Sequence, residues 1–145
     1  GHGGEFAHGL TYSGHPASCA AGLATMDVLK NTSILESSAN DLAPYFAQAL
    51  ESLVDYPVVG QVRVKGLVAA VELVKDKGSR ERLAPESGGA VYTRDRAIEN
   101  GLMVRQTGDA MIMSPPFVTS TEEVDALVSK LTSALDKTAA FYNVK

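Results

Sequence analysis

Apolar positions recur along the chain in two periods, one helical and one alternating. Between residues 33 and 53, Leu35, Ala39, Leu42, Phe46, Ala49 and Leu53 return at helical steps behind Ser33 and Glu36, a capping-box pair. A helix over 33–52 is therefore predicted, with a kink or break near Asn40 to Ala43, because Pro44 removes a backbone donor and crowds the turn before it. Tyr56-Pro57 ends the segment. An earlier helix is predicted from Pro16 to Lys30, with Pro16 in the first turn, where a missing N–H is harmless, and Cys19, Leu23 and Met26 on one face. Its many alanines predict close packing.

The alternating period follows. Val62 and Val64 alternate with Gln61, Arg63 and Lys65 within 58–65, and residues 67–74 are nearly all apolar, so a strand pair turning at Gly66 is expected. Charges, Gly78 and Pro85 make 75–86 an exposed loop. A third helix over 89–100 should stop at Asn100-Gly101. Two short strands, Leu102 to Arg105 and Ala110 to Met113, should turn through Thr107-Gly108-Asp109. The last helix should start behind the Ser120 and Glu123 capping box, with Val124, Leu127, Val128, Leu131 and Leu135 facing inward. The sum is an α+β fold, a small antiparallel sheet covered by helices.

Composition narrows the partners. The 145 residues suffice for one ordinary core, and 45% apolar content excludes a disordered tail. Thirteen basic against seventeen acidic residues, with no basic block, argue against a nucleic-acid or membrane-surface partner. A single cysteine, Cys19, allows no internal disulfide. With no secretory pattern at the start, a cytoplasmic home is expected. Gly1-His2 reads as the remnant of a removed tag, and the missing starter Met as a chain beginning inside a longer protein.

Three segments invite chemistry. Residues 6–16 place glycines and the hydroxyls of Thr11 and Ser13 before a helix start, where backbone N–H groups can hold a phosphate. The plainer alternative is a loop in which Ser13 or His15 caps the helix. His8 and His15 lack a third ligand at zinc spacing, so no metal is expected. Cys19 is expected as a small buried group rather than a nucleophile. Arg105 could grip a carboxylate through two parallel hydrogen bonds, or simply pair with Asp109 or water.

His8-Gly9-Leu10-Thr11-Tyr12-Ser13-Gly14-His15-Pro16, the strand pair from Val58-Gly60 to Glu72, Gly101-Leu102-Met103-Val104-Arg105 and Ser114-Pro115-Pro116 resemble, in that order, the C-terminal part of the class III aminotransferases. These are pyridoxal-phosphate enzymes of fold type I. The likeness runs from Gly3 to about Phe141 and is strongest to the omega-amino-acid:pyruvate branch.

The resemblance implies a cofactor, pyridoxal 5′-phosphate, whose phosphate is held across a homodimer by Leu10 and Thr11. It implies a substrate carboxylate held by Arg105, an arginine that swings away from apolar substrates, with Met103 and Met113 as adaptable wall. The substrates would be small amino and keto acids. It also implies three parts: residues 3–30 as cofactor loop and connecting helix, 31–145 as small domain, and a missing large domain. The lysine that binds the cofactor covalently and the aspartate beside its pyridine nitrogen would precede Gly1, so the chain is expected to be inactive alone. Lys65-Gly66 only mimics the lysine signature and should face solvent. Two other readings stay open: a free-standing, non-catalytic module for small anions, and a fragment of a same-fold aminomutase, decarboxylase or racemase.

Overall fold

The computed structural model describes residues 9–84, 86 and 88–144. The chain forms two compact units, residues 1–33 and 34–145.

The first unit is a loop and one helix, α1 (Pro16–Asn31). Pro16 opens it and the imidazole of His15 caps it, Nδ1 accepting the Ser18 backbone N–H at 3.3 Å. No residue of α1 is buried, and Cys19 is exposed. The expected burial of Cys19 and close packing of the alanines are therefore not found.

The second unit holds the core. Its helical entrance is α2 (Ile34–Ser37), a π turn (Ser38–Leu42), α3 (Ala43–Glu51) and a 3₁₀ turn (Ser52–Asp55). The π turn lies immediately before Pro44, where a break was expected, and the Ala43 N–H donates to the Ser38 carbonyl. A wide turn takes in an extra residue, so Ser38 rather than Ala39 stands above Leu42. The buried stripe is Leu42, Phe46, Leu50 and Leu53, while Leu35 and Ala39 face water. Ser38 satisfies its buried hydroxyl by donating to the Phe117 carbonyl at 3.1 Å.

The sheet runs β1-β2-β5-β4, all antiparallel, from β1 (Val59–Lys65), β2 (Val68–Asp76), β5 (Ala110–Met113) and β4 (Arg105–Thr107). β1 and β2 turn over two residues, and Gly66 takes the positive φ that such a hairpin demands of its first loop residue. The expected loop 75–86 contains a further strand, β3 (Glu81–Arg82), paired with the end of β2. The strand expected over 102–105 instead starts at Arg105, because Leu102 and Val104 turn into the core before pairing begins.

Two helices complete the layer. α4 (Gly89–Glu99) ends as expected, with Gly101 N–H on the Ile98 carbonyl and Leu102 N–H on the Ala97 carbonyl, both at 2.9 Å. α5 (Thr121–Tyr142) has both halves of its capping box. It packs on α3 and α4 and buries Val124, Leu131, Ala134 and Leu135. Thr93 and Thr138 meet between α4 and α5 at 2.9 Å, each hydroxyl also within reach of a carbonyl on its own helix. Ala69, Val71, Met111 and Met113 carry the sheet's side of the core.

Candidate functional site

The first candidate element is the loop ahead of α1. It is a pair of tight turns, with the Ser13 N–H on the Leu10 carbonyl at 3.0 Å and the His15 N–H on the Tyr12 carbonyl at 3.2 Å. Leu10 and Tyr12 project into solvent. His8 lies outside the described residues.

A helix start can attract an anion through its unpaired N–H groups, but here few remain. Pro16 has none, Ser18 donates to the His15 ring, and Cys19 donates to the His15 carbonyl at 3.0 Å. What is open lies one turn earlier: the amides of Leu10 and Thr11 and the Thr11 hydroxyl have no partner among the described residues. These are neutral donors on an exposed loop, a donor set that fits a phosphate monoester.

The second element is built on the sheet. Arg105 opens β4 directly opposite Ile112. The register aligns Arg63, Ala70, Ile112 and Arg105 in one row. Their neighbours Ala69, Val71, Met111 and Met113 point into the core, so this row occupies the other face. Arg105 lines a cavity of about 750 Å³ together with Met103, Ile112, Pro115, Val118 and Leu127. Its guanidinium has no ion-pair or hydrogen-bond partner among the described residues.

The alternative in which Arg105 pairs with Asp109 is not found. Asp109 is bound by Arg82 of β3, and that contact holds the Arg82 guanidinium above its usual basicity. Of the expected wall residues, Met103 is 89% exposed and Met113 is nearly buried, yet both line the cavity.

Sequence reasoning missed the far wall. Val118, Thr119, Glu123 and Leu127 come round from the approach to α5. The available signal was Ser114-Pro115-Pro116, which forces an extended exit from β5 and carries the chain along that edge. Glu123 spends one carboxylate oxygen on the Ser120 N–H at 2.9 Å, closing the helix end.

Lys65 ends β1 exposed, as a solvent-facing lysine should. Among the described residues, no group of three His, Cys, Asp or Glu side chains could hold a metal ion. No described helix is long and apolar enough to cross a membrane. Leu10 and Thr11 belong to the first unit and Arg105 to the second.

Comparison with known proteins gives this arrangement a context. The sequence model of the family described as Aminotransferase class-III matches residues 2–135. A putrescine–pyruvate aminotransferase of Pseudomonas aeruginosa is 43% identical over 138 residues, covering 95% of this chain and 30% of the relative. Gamma aminobutyrate transaminase 3, chloroplastic, of Solanum lycopersicum is 39% identical over 135 residues, covering 93% and 26%. Among solved structures, the omega transaminase of Pseudomonas jessenii in complex with PMP superposes with a TM-score of 0.85 at 34% identity, over 94% of this chain and 30% of that one. The chain thus spans under a third of the length of these relatives. The family match, the sheet with its helices and the identity to these aminotransferases agree: this chain belongs to the class-III aminotransferases.

Proposed function

We propose that this chain is the C-terminal portion of a pyridoxal-phosphate transaminase that moves an amino group between an omega-amino acid or amine and pyruvate or a similar keto acid. The observation that carries the reading is Arg105, a guanidinium without an ion-pair partner among the described residues, in a residue that lines a cavity whose other walls are largely apolar. A carboxylate gains two parallel charge-assisted bonds there, while an aliphatic chain is received by Met103, Ile112, Val118 and Leu127. The exposure of Met103 leaves it free to adapt to different chain lengths.

In this reading the Leu10 and Thr11 amides and the Thr11 hydroxyl hold the cofactor phosphate, from across a homodimer. Bound pyridoxal phosphate supplies an electron sink for the carbon bearing the amino group. Residues 3–30 then serve as cofactor loop and connecting helix, and 31–145 as the small domain. The remaining length seen in the relatives supplies the large domain and the lysine that bonds the cofactor, so the 145-residue chain does not turn over alone. A reducing, cytoplasmic setting suits the exposed Cys19 thiol.

The decisive variant is Arg105→Ala in the complete enzyme. Losing a bidentate carboxylate contact should raise the pyruvate KM about tenfold or more, with much less effect on amine release from carboxylate-free donors. Equal effects on both would overturn the role. Calorimetry of the 145-residue chain with pyridoxal phosphate and small carboxylates should register almost no heat; clear binding would favour a free-standing anion module.

A further inference from the structure

We infer that the Arg82–Asp109 ion pair is a positioning device for Arg105, fixing the backbone of its strand while leaving its side chain free to move. This inference rests on the carboxylate-binding role proposed for Arg105.

β4 is only three residues long and lies at the sheet edge, paired among the described residues with β5 alone. Three ladder pairs on one side are a weak hold for a residue that must meet a ligand at a fixed place. Each end of the strand is anchored by something else. On the N-terminal side, Leu102 and Val104 are buried and Gly101 closes α4. On the C-terminal side the chain turns through Gly108 and Asp109, and Gly108 takes a positive φ.

Asp109 secures that turn twice. Its carbonyl accepts the Leu73 N–H of the central strand β2 at 2.8 Å, and its carboxylate accepts the Arg82 Nε–H of β3. The Asp109 side chain is only 19% exposed, while Arg82 is 62% exposed and reaches in from the surface. Gln106 adds a bond from its side-chain amide to the Gly108 carbonyl. The edge strand is thereby tied to β2 and, through a charged contact, to β3. Arg105 itself takes part in none of these side-chain contacts. Asp109 thus holds the arginine's backbone instead of occupying its guanidinium.

The test uses the complete enzyme with two acceptors, pyruvate and an aliphatic aldehyde that lacks a carboxylate. Arg82→Gln and Asp109→Asn should each raise the pyruvate KM about three- to tenfold while leaving kcat with pyruvate and all constants with the aldehyde near wild type. Arg82→Lys should restore most of the loss, since a positive charge can again reach Asp109. If both acceptors suffer alike, or the lysine variant rescues nothing, the pair is merely structural and the inference is overturned. An unchanged pyruvate KM in the Arg82 and Asp109 variants also overturns it. Arg105→Ala run in parallel separates the two failures: if it too spares pyruvate, the parent role of Arg105 is wrong; if it harms pyruvate alone, only the positioning role is lost.

Discussion

At the scale of single residues, charge placement follows from short local geometry. Asp76 accepts both the Ser79 backbone N–H at 2.6 Å and the Ser79 hydroxyl at 2.7 Å. These donors favour the ionised carboxylate and hold its pKa below the usual 3.8. A carboxyl depressed on folding contributes stability that is complete above its unfolded value and disappears as pH falls through the lower, folded one. Asp76→Asn should therefore lower the melting temperature at neutral pH, and the gap from wild type should close as the pH falls below the usual carboxylate value of 3.8. A gap that persists unchanged in acid would mean the Ser79 bonds do not act through the charge. Arg105 is the opposite case, an ion without a partner among the described residues, and the role proposed for it was only half legible. Residue type allowed a carboxylate grip or a pair with Asp109, and local spacing could not exclude the latter. Arg82, which in fact takes Asp109, lies 27 positions away, and ion pairs leave no periodic trace in a sequence.

Elements were more readable where their signals are local. Ser120 with Glu123, Asn100-Gly101 and Gly66 each mark a helix end or turn through their own backbone needs, and each appears where expected. Pro44 likewise located the distortion, but not its form. The choice of a π turn over a plain break depends on tertiary packing, which shifted the buried face from Ala39 to Ser38. β3 was invisible because two charged residues carry no alternation, and its pairing is dictated by Val74 and Asp76 of β2. The readable cap also makes a quantitative claim. Ser120→Ala should cost about 1 kcal/mol in urea unfolding of the second unit, as the Glu123 N–H loses its acceptor. A change within about 0.3 kcal/mol would show that solvent replaces the cap without loss.

On the scale of the whole molecule, fold class was legible because both periods are present, 3.6 in the helices and 2 in the strands, and they agree on one buried layer. The site was less so. Local physics left the Leu10–Thr11 loop open between anion binding and simple capping, and only the family resemblance chose between them. The structure adds that His15 caps the helix and that the loop donors have no partner among the described residues, so the two readings fall on different atoms. Burial is divided unevenly. α5 is anchored by Val124, Leu131, Ala134, Leu135 and Thr138, whereas α1 buries nothing. Deuterium uptake should expose this contrast. In a demonstrated monomer of this chain, the amides of α1 should exchange at least about a hundredfold faster than the central amides of α5, because a helix that buries no residue opens turn by turn while a core helix opens only with the whole domain.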